Sequence, residues 1–426
     1  MTHQKLSLFF IGTIFALPIV QAADGRQSDT AGPSVVEIQK AGDRFELLRN
    51  GKPYFINGAG GNNHLDMLVA NGGNSIRTWS SSRAVLDQAW ENGLTVCMGI
   101  RMRKPRHGAD YSDTKMLEEQ RERICNEVIK LKDHPALLMW GIGNEVEHHA
   151  SPEEARLVWQ EIEHIARRIK MFDENHPVIT VIAGAGRKLA DIQELCPSLD
   201  AIGINSYGKL AEVPSAVQQY NWKKPYIITE FGPRGYWEVE KTDWGLPIED
   251  TSTEKARVYR EGYLAAIDDK PNCLGSYVFL WGNKQEKTHT WFNLFLEDGT
   301  PTEIVDTMWF LWTGAWPENR APTIGTKKIY SVKNKSRDRF AASSEVTFKV
   351  EAADPDGDAL TIEWDIRKDE SDNPSTGGDW EPRIPPIDDA IISSESDAAV
   401  IRMPAEEGNY RIFVYVYDPS GKVATA

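Results

Sequence analysis

Ala136-Leu137-Leu138-Met139-Trp140-Gly141-Ile142-Gly143-Asn144-Glu145 is a short apolar run that stops on a glycine, an amide and an acid. Shortly after it, Ser151-Pro152-Glu153-Glu154 opens a stretch whose apolar residues recur at helical spacing as far as Met171. A serine cap, a proline in the first turn and acids behind it are helix-start signals. A brief apolar run bounded by turn residues reads as a buried strand, so the two together form one strand–helix unit. The same alternation extends in both directions. Apolar runs occupy 54–57, 74–79, 94–100, 136–142, 177–182, 201–205, 226–230 and 276–281, with helix-like segments between them, for example 112–133 and 253–268. Eight alternations of this kind predict an α/β chain folded as a (β/α)8 TIM barrel. An open doubly wound sheet would want a phosphate-cradling loop, but Gly58-Ala59-Gly60-Gly61 lacks the third glycine of that motif.

The flanks read differently. Residues 1–22 carry Lys5, an apolar stretch from Leu6 to Val20, and the small-residue site Val20-Gln21-Ala22, the pattern of a secretory signal peptide. A secreted or periplasmic protein is expected, with no membrane span once the signal is removed. Segments 35–39 and 44–48 alternate like strands before an Asn50-Gly51 turn, and predict a hairpin plugging the N-terminal end of the barrel. The barrel with its hairpin is assigned to 23–315, a proline-containing linker to 316–323, and the remainder to 324–426. In that remainder, 346–352, 360–365 and 410–417 have a two-residue period, which predicts a small all-β immunoglobulin-like sandwich. The acids at Asp354, Asp356 and Asp358 read as a polar turn, because Ala359 stands where a calcium loop needs glycine.

The 426 residues include 14 Trp and are 41% hydrophobic, enough for a large core, and they exclude a disordered or disulfide-stapled chain. A formal charge of −15 argues against nucleic acid as a partner. Of four cysteines, Cys97 and Cys125 read as thiols within elements, while Cys196 and Cys273 lie near loops where they could pair; no bridge is assigned. No metal or cofactor motif is present, and the adjacent His148 and His149 point apart, so neither a metal nor a cofactor is expected.

Chemistry in such a barrel sits at the C-terminal ends of the strands. The fourth run ends in Glu145 and the seventh in Glu230, which puts two carboxylates on one face. Glycoside hydrolysis needs such a pair, one protonated to release the leaving oxygen and one ionised to attack or to activate water. Glu147 is the rival acid.

With these residues in place, the chain resembles clan A of the glycoside hydrolases, barrels of the family 2 and family 5 kind. The likeness runs from about Asn50 to Trp312 through Asn50-Gly51-Lys52-Pro53-Tyr54, Ser75-Ile76-Arg77-Thr78-Trp79, Gly143-Asn144-Glu145, Glu230 and Trp281. The resemblance implies a retaining β-glycosidase with Glu145 as acid/base and Glu230 as nucleophile. It further implies that Arg77 orients Glu230, Asn144 bonds the sugar 2-hydroxyl, Tyr207 lies beside the nucleophile and Trp281 forms a platform under the sugar. Trp79, Trp237 and Trp291 are added as candidate substrate contacts, since flat aromatic faces suit pyranose rings, and His149 as a loop residue close after Glu145 in position to touch substrate. A barrel followed by an immunoglobulin-like module is similar to the family 158 β-1,3-glucanases, which makes laminarin the expected substrate. The alternatives are another clan enzyme, such as a β-mannanase, a β-galactanase or an exo-acting glycosidase, and a non-catalytic polysaccharide-binding protein. A monomer acting on a β-linked polysaccharide or oligosaccharide is the overall expectation.

Overall fold

The computed structural model describes residues 32–331, 339–373 and 378–426, so the expected signal peptide lies outside the described residues. Ala31–Ala426 form one compact unit. Strands β1 (Val36–Ala41), β2 (Arg44–Arg49) and β3 (Lys52–Pro53) make an antiparallel sheet. Asn50 and Gly51, with φ of 50° and 74°, turn β2 into β3 in the left-handed conformation that such a turn demands.

The chain then alternates as its sequence predicts, through β4 (Ile56–Gly60), α1 (Leu65–Ala70), β5 (Ser75–Arg77), α2 (Arg83–Glu91), β6 (Thr95–Ile100) and α3 (Thr114–Leu131). It continues through β7 (Leu137–Ile142), α4 (Pro152–Phe172), β8 (Val178–Ala183), α5 (Lys188–Leu195), β9 (Ala201–Asn205) and α6 (Val213–Gln219). The last units are β10 (Tyr226–Phe231), α7 (Ser252–Ala266), β11 (Cys273–Val278) and α8 (Glu303–Thr313). Strands β4 to β11 pair in parallel and close into a barrel, β11 against β4. Helix α4 starts at the expected serine cap, which closes into a capping box, Ser151 accepting from the Glu154 N–H while Glu154 accepts from the Ser151 N–H.

The hairpin does plug the N-terminal end. Val36 and Leu47 are buried with the barrel-interior side chains Leu138, Ile179, Ile227 and Leu274. Val36 N–H donates to Asn175 O and Phe45 N–H to Pro271 O, both just ahead of barrel strands. The outer core is formed by helix faces such as Ile124, Val128, Ile162 and Ile169 against the strands.

The eighth strand sits three residues earlier than the run at 276–281 suggests. Phe279 to Trp281 leave the sheet and stay apolar because Phe279 and Trp281 are buried and Leu280 partly so, which sequence hydrophobicity does not distinguish from a strand.

Beyond α8, the strands β12 (Thr323–Ser331), β13 (Glu345–Ala353), β14 (Thr361–Lys368), β15 (Ile391–Glu395), β16 (Ala398–Arg402), β17 (Tyr410–Tyr417) and β18 (Val423–Thr425) form two antiparallel sheets. Their orders are β12-β13-β16-β15 and β14-β17-β18, and the sheets share a core that includes Phe348, Val350, Trp364, Ile366, Ile401 and Val414. The Asp354 carboxylate accepts from the N–H groups of Asp356 and Asp358, the polar turn expected there.

The segment read as a linker is packed. Trp316 stacks on Phe310, and Asp306 Oδ2 accepts from Ala321 N–H while its Oδ1 accepts from Lys422 Nζ at 2.6 Å. The sheets also grip the barrel itself. Leu296 is buried with Phe413, Tyr415 and Val423; Thr425 N–H donates to Ser252 Oγ and Ile324 N–H to Thr253 Oγ1. All four cysteines are free, so Cys196 and Cys273 do not pair. Among the described residues no helix is long and apolar enough to cross a membrane.

Candidate active site

The C-terminal ends of the strands open into a cleft of about 1140 Å³. That exceeds the roughly 300–1,000 Å³ typical of a pocket for one small ligand. Its floor is polar and buried where the barrel interior below is apolar. Arg77, at the end of β5, is 2% exposed and reaches across the barrel. Its guanidinium donates to Glu230 Oε1 at 2.8 Å, to the Thr229 carbonyl at 2.9 Å and to Asn144 Oδ1 at 2.6 Å.

Glu230 ends up held by three donors. Besides Arg77, Trp79 Nε1 donates to Oε1 and the Tyr207 hydroxyl donates to Oε2, each at 2.8 Å. Every partner is a donor, which matches an ionised carboxylate that only accepts. Burial, and then the Glu230 charge, raise the Tyr207 phenol well above its ordinary value, so it stays protonated and keeps donating.

Glu145 has the opposite surroundings. It follows Gly143, at φ 68°, and itself adopts φ 49°, a left-handed conformation that costs a non-glycine residue free energy and recurs at functional sites. Its one side-chain donor among the described residues is Asn205 Nδ2 at 2.8 Å. Burial, and secondarily the charge of Glu230, push its carboxyl up to about 7. One carboxyl is therefore set to carry a proton at neutral pH while its neighbour across the barrel accepts from three donors.

Asn205, at the end of β9, also donates to Asn144 Oδ1 and accepts from Thr229 Oγ1. Asn144 Oδ1 thus receives both Arg77 and Asn205, which fixes its amide, and its Nδ2 has no partner among the described residues. The rival acid Glu147 is occupied elsewhere: its Oε1 accepts from Lys188 Nζ at 2.8 Å, and it does not line the cleft.

The structure brings Glu145, Glu230, Arg77, Asn144, Tyr207 and Trp79 into one hydrogen-bonded cluster, and places His149 and Trp237 on the cleft wall. Trp237 is 54% exposed and meets Tyr207 edge-on. Two expected contacts need correction. Trp281 is wholly buried, donates to the His64 carbonyl and packs against Phe295 and Trp312, so it is part of the core; Phe279 and Leu280 face the cleft in its stead. Trp291 is 1% exposed, with Nε1 on the Arg234 carbonyl, and it supports the wall from behind.

Sequence reasoning missed Asn205, although it ends a barrel strand and the rule that found Glu145 applies to it equally. It also missed the basic segment after β6. Lys104 and Arg106 line the cleft, and they belong to a cluster, Arg101-Met102-Arg103-Lys104-Pro105-Arg106-His107, that stands out in an acidic chain. Lys104 Nζ makes no hydrogen bond or ion pair with the described residues. Its pKa is lowered, first by burial and then by Arg106, with Glu145 and Glu230 opposing. Two acids on the walls are engaged: Glu238 accepts from Gly208 and Gly235 N–H, and Glu286 pairs with Lys284 at 2.5 Å. No cluster of His, Cys, Asp and Glu able to hold a metal occurs among the described residues.

Residues 84–236 match the TIM barrel domain of glycosyl hydrolases family 2. A β-glucuronidase of Pongo abelii is 26% identical over 224 residues, covering 44% of this chain and 32% of its own length. The chain thus spans about a third of that curated relative. Among solved structures, the β-D-glucuronidase of Dictyoglomus thermophilum has a TM-score of 0.52 at 17% identity, over 66% of this chain and 54% of its own. Bacteroides uniformis β-glucuronidase 2 has a TM-score of 0.51 at 15% identity, over 92% of this chain and 47% of its own. At such identities the structural likeness is one of fold.

Proposed function

We propose that this protein is a retaining β-glycosidase, exported from the cytoplasm, that acts on a β-linked glycan carrying an acidic sugar. The observation that carries the reading is the pairing of a proton-holding Glu145 with the three-donor carboxylate of Glu230. Glu230 attacks the anomeric carbon while Glu145 gives its proton to the departing glycosidic oxygen, leaving a covalent glycosyl–enzyme. Glu145, now ionised, takes a proton from water as that water displaces Glu230, so the anomeric configuration is retained. Asn144 offers its unpartnered amide N–H to the hydroxyl next to the anomeric carbon.

Lys104 supports the acidic sugar: a half-buried ammonium that lines the cleft with both carboxyl groups, without a partner among the described residues, is matched by a substrate carboxylate. The relatives' names agree, since they are β-glucuronidases, and the structurally similar enzyme of Eisenbergiella tayi is a β-galacturonidase bound to galacturonate. Neither observation favours the endo-β-1,3-glucanase reading, because laminarin carries no charge for Lys104 to meet.

The test is turnover of p-nitrophenyl β-D-glucuronide, β-D-galacturonide, β-D-glucoside and β-D-galactoside, and of laminarin, with Glu230→Ala as control. A uronide preference that Lys104→Ala abolishes, with the β-anomer released first by NMR, is the expected result. Equal rates on glucoside and glucuronide, or laminarin as the best substrate, would remove the acidic-sugar reading. Activity in Glu230→Ala would remove the mechanism.

A further inference from the structure

The connection between β14 and β15 of the C-terminal sheets reaches the cleft. Gly378 and Asp379 belong to that connection and line the same cavity as Glu145 and Glu230. Their position is fixed by loops of the barrel. Gly378 N–H donates to Glu286 Oε1, Asp379 Oδ1 lies 3.8 Å from Arg106 and 3.9 Å from His107, and Glu381 Oε2 accepts from Lys287 N–H at 2.7 Å. Lys287 Nζ also donates to the Asn373 carbonyl. The segment is therefore pinned on both sides of one residue, Trp380, which is 87% exposed.

Single exposed apolar residues are ordinary on protein surfaces. What distinguishes Trp380 is that it is the most exposed large hydrophobic side chain among the described residues while its chain neighbours are tied down at the mouth of a cleft. An indole rooted in a pinned stretch of backbone offers a flat, electron-rich face that suits the C–H face of a pyranose. Trp237 offers a second, half-exposed indole among the residues that line the cleft itself.

We infer that Asp379 and Trp380 form an outer glycan subsite, so that the C-terminal sheets complete the binding cleft and engage the chain beyond the sugar being cleaved. The occupant is a pyranose several units from the scissile bond, stacked on Trp380, with its hydroxyls within reach of Asp379. This deepens the glycosidase reading and rests on it for the direction of the chain, since the cleft, at about 1140 Å³, is already larger than one ring needs.

The experiment separates the two ideas. Calorimetric titration of laminarihexaose and of an unsulfated chondroitin hexasaccharide is run on Glu230→Gln protein, with and without Trp380→Ala. Turnover of p-nitrophenyl β-D-glucuronide is compared in wild-type and Trp380→Ala proteins, both of which retain Glu230. At least one hexasaccharide is expected to bind and to lose three- to tenfold in affinity with Trp380→Ala, while turnover of the small glycoside stays within twofold. Equal hexasaccharide affinity in the two proteins, no binding of either hexasaccharide at millimolar concentration, or a matching loss on the small glycoside would overturn the subsite. Absence of turnover in the wild type together with Trp380-dependent hexasaccharide binding would sink the enzyme reading and leave the subsite standing.

Discussion

The two ends of the barrel are built from the same eight strands and carry opposite contents. At the N-terminal end, Val36 and Leu47 of the hairpin meet Leu138, Ile179 and Leu274, and the polar contacts made there by Val36 and Phe45 are backbone hydrogen bonds. At the C-terminal end, Arg77, Asn205, Thr229 and Glu230 are buried within a few residues of the strand ends and satisfy one another. A buried polar group is costly unless paired, so this cluster is tolerable only as a nearly complete network. One end holds the fold together; the other accepts a cost in stability so that two carboxyl groups can differ in protonation.

If that division is right, changes at the two ends have separable effects. The largest is expected for Glu145→Gln, which removes the proton donor and lowers kcat on an unactivated glycoside by ~10²–10⁴-fold without lowering Tm. The pH profile sharpens it. Because burial raises Glu145 to about 7, the protonated acid is present below that pH, and wild-type activity falls as pH rises through it; the glutamine variant loses this limb. A flat wild-type profile from pH 6 to 9 would remove Glu145 as the acid.

Next in size is Leu47→Ala at the plugged end. Deleting a fully buried leucine costs ~2–5 kcal/mol, read as a lower denaturation midpoint, with kcat/KM unchanged below the transition. A loss of activity in the folded variant would break the division. Smaller again is Tyr207→Phe, which deletes one donor to Glu230. Hydrogen bonds to charged groups contribute ~1.5–3 kcal/mol, so kcat/KM should drop about 10- to 150-fold with little change in Tm. An unchanged rate would mean that Arg77 and Trp79 alone prepare the carboxylate.

Legibility in the sequence followed the same division. The strands and helices could be read because burial imposes a period, and Glu145 and Glu230 because they terminate two of those runs. Trp281 and Trp291 misled because a run of apolar residues reveals burial but not the direction in which an aromatic faces once the chain has left the sheet. Lys104 was visible as part of a basic cluster, yet such a cluster ordinarily reads as a solvated face; only its place above the strand ends distinguishes it. Asp379 carried no local signal, since the β-sheets must first fold and dock before it reaches Arg106.

That docking has a thermodynamic side. Glu249, in the loop before α7, pairs with the buried Lys255 at 2.5 Å and accepts from Thr288 and Thr290 of the loop after β11, while Arg411 of β17 approaches to 3.9 Å. The seam thus has its own buried ion pair and, at Leu296, its own apolar patch. Cutting the chain at the packed segment would leave both faces raw: a barrel with an uncovered leucine and a loop without its anchor, and a sandwich with Phe413 in water. Such a molecule does not behave as two beads on a string. Heat should melt it in one cooperative endotherm, with the cleft and the outlying sheets lost together.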